Sequence, residues 1–225
     1  MIYGVSAQPI AGSIIESGGT FPGSLAAADF VNGVYEIAGV STTAAAIIDK
    51  PGQIDGSGLR IDAGANEAVA FIGDFLQAFA DTLGFYTVVI EWDIDATGTT
   101  PDVLIVQEAD IDFGDYMELW SQNPRTSMFV IDSWDSGEVD SEFSGLTDNA
   151  NVMRLAYTRD TDRVSISING ASAVVNSYAT TELLPASVTL GGYPGGFGWP
   201  DPVFNGYVRQ VLLYPVKSDA ILPTL

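Results

Sequence analysis

Apolar and polar side chains alternate through the last quarter of the chain. In Val164–Ile168, valine and isoleucine occupy every second position, and Ser165 and Ser167 lie between them. A period of two is typical of a β-strand with one face in the core, so we expect the serine face to be in water. Similar segments predict strands at Asn151–Thr158, Val164–Ile168, Ala171–Val175, Ser187–Leu190 and Phe204–Tyr214.

Two Asn-Gly pairs mark predicted hairpins. Asn169-Gly170 separates two of the alternating segments, and Asn32-Gly33 lies within the segment Asp29–Gly39. A tight type I′ turn needs positive φ at both central residues, which asparagine and glycine tolerate best. We therefore predict a hairpin at each pair.

One helix and several further strands are predicted in the middle of the chain. Apolar residues at helical spacing predict a helix from Ile72 to Leu83, ended by Gly84. Phe85–Ile94 is apolar on both faces, which is typical of a central strand. Short strands separated by turn residues favour a sandwich or a barrel. The other predicted strands are Val103–Gln107, Tyr116–Ser121, Ser127–Ile131 and a short one within Gly52–Gly64.

The pattern predicts a single domain preceded by an arm. Residues 1–28 are rich in Gly, Ser, Ala and Pro, which predicts an extended arm with a few edge strands. Such an arm either lies on a neighbouring subunit or wraps its own domain. Residues 29–225 form the predicted domain, because no linker, repeat or change in composition divides them.

Missing residue types exclude several kinds of chemistry. The chain has no cysteine and no histidine. Disulfides, cysteine nucleophiles, the Ser-His-Asp triad and the usual zinc ligands are therefore excluded. The start at Met1-Ile2-Tyr3 lacks a basic and apolar leader, and no apolar run reaches the roughly 20 residues that span a bilayer. We expect synthesis in the cytoplasm, without a signal peptide or a membrane partner.

The chain is strongly acidic. It has 29 acidic and 8 basic residues, a formal net charge of −21, so nucleic acid and anionic membrane are not expected partners. Many of the acids fall between Tyr86 and Ala150, where Arg125 is the only basic residue. A solvated acidic surface and a calcium site are both consistent with this region. No EF-hand sequence is present, so we predict no cofactor and leave calcium as an open alternative.

The C-terminal third resembles the laminin-G-like, concanavalin A-like sandwich domains. The resemblance is carried by Met153–Thr158, Arg163–Gly170, Val188–Gly192 and Phe204–Pro215. In those domains a strand is followed by an Asn-Gly or Asp-Gly hairpin, a Leu-Gly-Gly strand and a final strand that ends in tyrosine. The resemblance implies an all-β, concanavalin A-like (jelly-roll) antiparallel β-sandwich with one short helix and an extended N-terminal arm.

Two segments resemble such domains in the virion proteins of tailed phages. Tyr214–Ala220 is similar to their ending, and Asp29–Tyr35 is similar to their opening. The resemblance implies a non-enzymatic virion structural protein that decorates a capsid or tail. Its partners would be other virion proteins, further copies of itself and host-surface carbohydrate. A stand-alone, lectin-like carbohydrate-binding module is the alternative, and a glycoside hydrolase of the same fold is the third hypothesis.

One group of carboxylates could serve catalysis. Glu91, Asp93 and Asp95 alternate along the predicted central strand and would share one face. Some concanavalin A-like glycosidases carry Glu-x-Asp-x-x-Glu on such a strand, with the two glutamates as nucleophile and acid/base. Here Ala96 stands where the second glutamate would be. We therefore predict that the protein is not an enzyme.

Aromatic residues supply the candidate carbohydrate-binding site. The loop from Gly192 to Asp201 carries Tyr193, Phe197, Trp199 and Asp201, which could offer flat faces for sugar rings and a carboxylate for hydroxyl groups. Trp120 and Trp134 are further candidates. Packing against the sheet edge or against another subunit is the alternative role for these aromatic side chains.

Overall fold

The computed structural model describes residues 19–62, 68–94, 102–108, 116–122, 127–134, 137–144, 152–192 and 205–225. It places two antiparallel β-sheets against each other, with few helices. The predicted all-β jelly-roll sandwich is thereby confirmed. Among the described residues, no helix is long and apolar enough to cross a membrane.

The larger sheet contains the predicted central strand. Its main path runs β14-β13-β12-β7-β16-β1-β2-β3, and β5 adds to the start of β16, with β4 beside it. The strands are β1 (Ala26–Asp29), β2 (Val34–Ile37), β3 (Val40–Ser41), β4 (Ile54–Asp55), β5 (Gly58–Ile61), β7 (Tyr86–Ile94), β12 (Val152–Asp160), β13 (Arg163–Ile168), β14 (Val174–Ser177) and β16 (Gly206–Tyr214).

The smaller sheet is ordered β11-β10-β9-β8-β15-β6. For β8 to β11 the structure describes the backbone and the strand register. Among their side chains it describes Ile105, Met117 and Leu119, which are all buried. The strands are β6 (Val69–Ala70), β8 (Asp102–Glu108), β9 (Tyr116–Gln122), β10 (Ser127–Trp134), β11 (Gly137–Ser144) and β15 (Ser187–Leu190).

The predicted helix is confirmed as α2 (Gly73–Ala80), which follows the short helix α1 (Ala44–Ile47). Phe75 and Phe79 are one turn apart on α2 and are fully buried, and Phe71 stacks on Phe75 with ring centroids 4.2 Å apart. Gly84 ends the segment with φ of +80°, a conformation that glycine adopts without strain. Short 3₁₀ turns cover Pro51–Gln53 and Leu222–Thr224.

The main core lies between the sheets. Val88, Ile90 and Trp92 of β7 point into it and are fully buried, and β12 and β16 pair with β7 on either side. Burying large apolar side chains stabilises the fold by roughly 1.5–3 kcal/mol each relative to exposure. The prediction that Phe85–Ile94 is a central strand is confirmed.

Both predicted hairpins are confirmed, with differences in turn geometry and strand position. Strands β1 and β2 are joined by the four-residue loop 30–33, in which Gly33 has φ of +68° but Asn32 has no positive φ, so the predicted tight turn forms only at Asn169-Gly170. Asn169 and Gly170 have φ of +49° and +76°, and the Ala171 amide donates to the Ile168 carbonyl over 2.9 Å. Strand β14 begins only at Val174, three residues after the predicted start at Ala171. The Asn169 side chain instead accepts from the Arg154 amide, which ties the turn to β12.

Other differences concern short or strongly polar strands. Strands β6 and β11 were not predicted; β11 alternates charged and small residues, so no apolar face marks it. Strand β1 begins at Ala26, inside the segment predicted as an arm, and Ala26, Ala27 and Ala28 are fully buried. Residues 1–18 lie outside the described residues, so the extended arm and its role stay a prediction.

The expectation of a wet serine face on β13 is wrong. Val164, Ile166 and Ile168 enter the main core as predicted. However, Ser165 and Ser167 on the opposite face are also buried, with 0% and 2% exposure. The cause is residues 215–225, which return across this face after β16 and cover it: the Ser165 hydroxyl donates to Asp219 Oδ1 over 2.6 Å.

Candidate functional site

The outer face of the larger sheet carries the candidate site. Along β7 the side chains alternate, so Trp92 enters the core whereas Glu91 and Asp93 point away from the smaller sheet and are partly exposed. The predicted common face for Glu91 and Asp93 is therefore present. Asp95 and Ala96 lie outside the described residues.

Glu91 is the centre of a cross-strand polar network. In the register of the sheet it faces Arg154 of β12 on one side and Gln210 of β16 on the other. Arg154 Nη1 lies 3.1 Å from Glu91 Oε2 and donates to Gln210 Oε1 over 2.9 Å. Gln210 Nε2 in turn donates to Asp29 Oδ2 on β1 over 3.3 Å. Four adjacent strands are joined by these side chains.

A β-bulge brings a second arginine to the same glutamate. The register of β16 against β7 shifts between Val208 and Gln210, so Arg209 has no strand partner of its own. Bulges commonly redirect a side chain in this way. Arg209 Nε lies 3.0 Å from Glu91 Oε1, which places both carboxylate oxygens of Glu91 against guanidinium groups.

The network is open enough to meet a ligand. The side chains of Arg154, Glu91 and Arg209 are 35%, 26% and 29% exposed. In the part of the chain that the structure describes, Arg209 donates through Nε alone, and its Nη1 and Nη2 groups have no protein acceptor. Two parallel N–H donors of one guanidinium match the two oxygens of a carboxylate.

A second row of side chains extends the site along the same strands. Asp93 of β7, Tyr207 of β16 and Arg60 of β5 are adjacent in register. The Arg60 guanidinium carbon lies 5.1 Å from the centre of the Tyr207 ring, and Nη2 donates to Asn205 Oδ1 over 3.0 Å. We call both rows together the arginine patch; its members are Arg60, Glu91, Asp93, Arg154, Tyr207, Arg209 and Gln210.

The charge of the arginine patch differs from that of the whole chain. Three of the eight basic residues of the chain belong to it, beside the carboxylates of Glu91, Asp93 and the neighbouring Asp29. With Asp29 counted, the formal charges of this surface cancel, whereas the chain carries −21. An anionic ligand is repelled less by this neutral surface than by the acidic surface elsewhere.

The rest of the same sheet face is covered. Val89, Ala156, Leu212 and Ala27 form a second apolar cluster there, beneath Leu222 and the partly buried Phe21. Tyr214 also belongs to this cluster, and burial raises the pKa of its phenol, although the charge of Arg154 acts in the opposite direction. This covered half of the sheet is a packing surface.

The predicted aromatic site is not tested by the structure. Tyr193, Phe197, Trp199 and Asp201 fall in residues 193–204, outside the described residues. Trp120 is placed on β9 opposite Phe129, and Trp134 ends β10 opposite Gly137, with nothing described of their side chains. Carbohydrate binding at these six residues stays a prediction.

Most of the arginine patch is not predicted from the sequence. Arg154 and Arg209 were noted only within segments that resemble a family, and Arg60 and Tyr207 were not considered as ligand-binding residues. A usable signal was present: basic residues are scarce in this chain, and two of the few lie on the final strands at outward-facing positions. Register and the bulge, which bring them to Glu91, cannot be seen in the sequence.

The geometry gives no support to a glycosidase site. Both carboxylate oxygens of Glu91 are bound by arginines. A retaining glycosidase needs a second carboxyl group about 5 Å from the first. The glycosidase pattern would place that group at position 96, where this chain has alanine. In the described ranges, no three acidic side chains cluster as a metal site would require. Much of the acidic region between residues 86 and 150 lies outside those ranges, so calcium stays an open alternative.

Comparisons with known proteins identify the fold. No protein-family model matches the sequence, and no curated protein sequence matches it. Among solved structures, the CBM40 module of the Ruminococcus gnavus IT-sialidase matches with a TM-score of 0.55 and 16% identity, over 75% of this chain and 92% of that one. The same module bound to α2,3-sialyllactose matches with a TM-score of 0.54 and 15% identity, over the same shares.

A sialidase domain gives a longer match. The Trypanosoma rangeli sialidase in complex with sialic acid matches with a TM-score of 0.59 and 14% identity, over 90% of this chain and 32% of that one. This chain thus spans about a third of that sialidase. At these identities the likeness concerns the fold alone, which is the concanavalin A-like jelly roll expected from the sequence.

Proposed function

We propose that this chain is a carbohydrate-binding module whose ligand is a glycan bearing a carboxylate, and that the arginine patch binds it. The observation that carries the proposal is the guanidinium group of Arg209, whose two terminal nitrogens are available to a ligand. Its Nε is fixed by Glu91, and Nη1 and Nη2 meet no acceptor in the described part of the chain. Such a group is prepared to receive a carboxylate through two charge-assisted hydrogen bonds.

The remaining members of the arginine patch suit sugar hydroxyl groups. Glu91, Gln210 and Asp93 supply acceptor oxygens, and Arg154 and Arg60 supply donors. Because these side chains already bond to one another, little conformational entropy is lost when a ligand is bound. Tyr207 adds an aromatic ring beside them, as carbohydrate sites combine apolar faces with a few placed polar groups.

The structural neighbours support the same class of ligand. The CBM40 module was solved with α2,3-sialyllactose and with α2,6-sialyllactose, and the Trypanosoma rangeli enzyme with sialic acid. Sialic acid carries a carboxylate, which is the group that the Arg209 guanidinium is proposed to bind. The proposed function does not include catalysis.

Isothermal titration calorimetry with 3′-sialyllactose and with lactose tests the proposal, because these ligands differ by the acidic sugar. We expect binding of 3′-sialyllactose and none of lactose. Loss of charge-assisted hydrogen bonds costs about 1.5–3 kcal/mol, so Arg209→Gln should weaken binding roughly 10-fold to 150-fold.

The matched control is Lys217→Gln, which removes one positive charge from the covered half and should leave affinity unchanged. Equal loss in both variants would mean that net charge, not the arginine patch, determines binding. Failure of the wild-type chain to bind any member of a glycan array would refute the carbohydrate-binding function itself.

The virion role remains a second proposal. It rests on the resemblance of Tyr214–Ala220 and Asp29–Tyr35 to tailed-phage virion proteins, and none of the neighbours named above bears on it. In that setting the chain would sit on the virion, with other virion proteins and copies of itself as partners. A closed oligomer in light scattering would support it, and a monomer at high concentration would argue against it.

A further inference from the structure

Residues 215–225 form a strap across the outer face of the larger sheet, directly beside the arginine patch. The strap leaves β16 and is fixed first at β7, where the Lys217 amide donates to Thr87 Oγ1 over 2.8 Å. It then reaches β13, where Asp219 Oδ1 accepts from Ser165 Oγ and from Arg163 Nε over 2.6 and 3.3 Å.

The strap is held by apolar packing as well. Leu222 is 1% exposed and belongs to the same apolar cluster as Val89, Ala156 and Leu212, against which Phe21, Ala173 and Leu225 also pack. Its neighbour Ile221 is 44% exposed. Leu222 therefore attaches the strap to the sheet by apolar packing, in addition to the hydrogen bonds of Lys217 and Asp219.

The strap also touches the arginine patch. Arg154 Nε donates to the carbonyl oxygen of Leu225 over 2.7 Å, while Nη1 of the same guanidinium donates to Glu91 Oε2 and Gln210 Oε1. One arginine thus belongs both to the strap contact and to the proposed site. The boundary between open and covered sheet lies at this residue.

The open surface is short along the strands. Side chains on one face recur every second residue, so the two rows of the arginine patch are about 7 Å apart. The next row beyond Glu91 on β7 is Val89, which is fully buried under the strap and Phe21. A glycan on the arginine patch therefore cannot continue along the strands toward Tyr214.

We propose that the strap makes the site selective for the end of a glycan chain. This inference rests on the proposed function. An internal unit of a polymer must extend from the site in two directions, and the strap blocks one of them. A terminal unit needs only one exit. Release of the strap would uncover the serine and threonine side chains of β7, β12 and β13 and lengthen the site.

The test compares two ligands built from the same acidic sugar. In 3′-sialyllactose that sugar is terminal, whereas in colominic acid, an α2,8-linked polymer, nearly every unit is internal. Leu222→Ser releases the strap without a change in charge, and Ile221→Ser is the matched control at an exposed position. Hydrogen exchange of the Lys217 amide, which bonds to Thr87, reports whether the strap has been released.

We expect the wild-type chain and Ile221→Ser to bind 3′-sialyllactose and to bind colominic acid at least 10-fold more weakly per sialic acid unit, because only one unit of each polymer chain is terminal. Leu222→Ser should bind colominic acid with an affinity at least 10-fold higher than wild type does. Its affinity for 3′-sialyllactose should stay within about 3-fold of wild type. If Leu222→Ser does not fold, Ser165→Ala is the milder variant, and a gain of several-fold for the polymer is expected.

Two results would overturn the inference, and they are distinguishable. A released strap with an unchanged ratio of the two affinities would refute end selection and leave the proposed function standing. Absence of binding by wild type to either ligand would refute the proposed function, and the inference with it.

Discussion

The two halves of one sheet face differ in what lies above them. In the covered half, Val89, Ala156 and Leu212 are buried under the strap and Phe21. In the open half, one step along the same strands, Glu91 and Arg154 are partly exposed and bound to each other. Strand, register and alternation are shared, so the covering segment determines which half can meet a ligand.

This difference shows that the alternation of polar and apolar residues along a strand does not by itself distinguish a polar face used for packing from one that can bind a ligand. Ser165 and Ser167 alternate with apolar residues as surface positions do, yet both are buried. Glu91 and Arg209 are polar positions on the same sheet that remain accessible. Whether a polar strand face is exposed in this fold therefore depends on whether another segment of the chain covers it.

The largest expected effect concerns the covered half. Leu222→Ala removes a fully buried leucine from between strap and sheet, and such truncations cost about 2–5 kcal/mol. Ile221→Ala, at an exposed position of the same strap, should change the free energy of unfolding by no more than about 0.5 kcal/mol. Urea denaturation of both variants measures the difference, and equal values would show that the strap is not packed as described.

A smaller effect is expected in the open half. Glu91→Gln removes the carboxylate shared by Arg154 and Arg209, and partly exposed ion pairs contribute about 0.2–1 kcal/mol each. We expect a loss of about 0.5–1 kcal/mol in unfolding free energy, reduced in 1 M NaCl because salt screens the pairs.

Asp93→Asn, on the same face of the same strand, is the control and should change stability by less than about 0.3 kcal/mol. A cost for Glu91→Gln as large as that for Leu222→Ala would contradict the contrast between a packing half and a binding half.

The smallest effect involves pH. Burial raises the pKa of Tyr214, so the folded state favours the neutral phenol more than the unfolded state does. The stability that this provides is complete below about pH 10 and is lost as pH rises through the higher pKa of the folded state. The pKa of Tyr35 is raised as well, by burial and by Asp29.

Tyr214→Phe should therefore lose less stability than wild type between pH 9 and pH 11, by a few tenths of a kcal/mol. Because Tyr35 still titrates in this variant, some alkaline loss should remain. Denaturant midpoints at the two pH values give the comparison; identical losses in both proteins would mean that Tyr214 is not buried under the strap.

Much of the fold follows from local signals in the sequence. The alternation in Val164–Ile168, the Asn169-Gly170 turn and the apolar segment Phe85–Ile94 each predict an observed feature, because strand period, turn φ and burial act over a few residues. Strands that lack such a signal, such as β11 with its alternating charges, were missed.

The site was far less predictable, because it depends on long-range register. Glu91, Arg154 and Arg209 are separated by 63 and 55 residues along the chain and meet only when three strands pair with a bulge in β16. The strap raises the same difficulty: Asp219 and Leu222 show no period that would reveal the face they cover. Sequence reasoning therefore favoured aromatic residues, whose type alone suggests sugar binding.

The most direct test of the account is hydrogen exchange of the wild-type chain with and without saturating 3′-sialyllactose. We predict that ligand slows exchange in segments 91–93, 152–154 and 207–210, which carry the arginine patch, and leaves Thr87–Val89 and Leu212–Tyr214 unchanged. Protection confined to residues 193–204, or to the covered half, would contradict the assignment of the glycan site to the open half of the sheet.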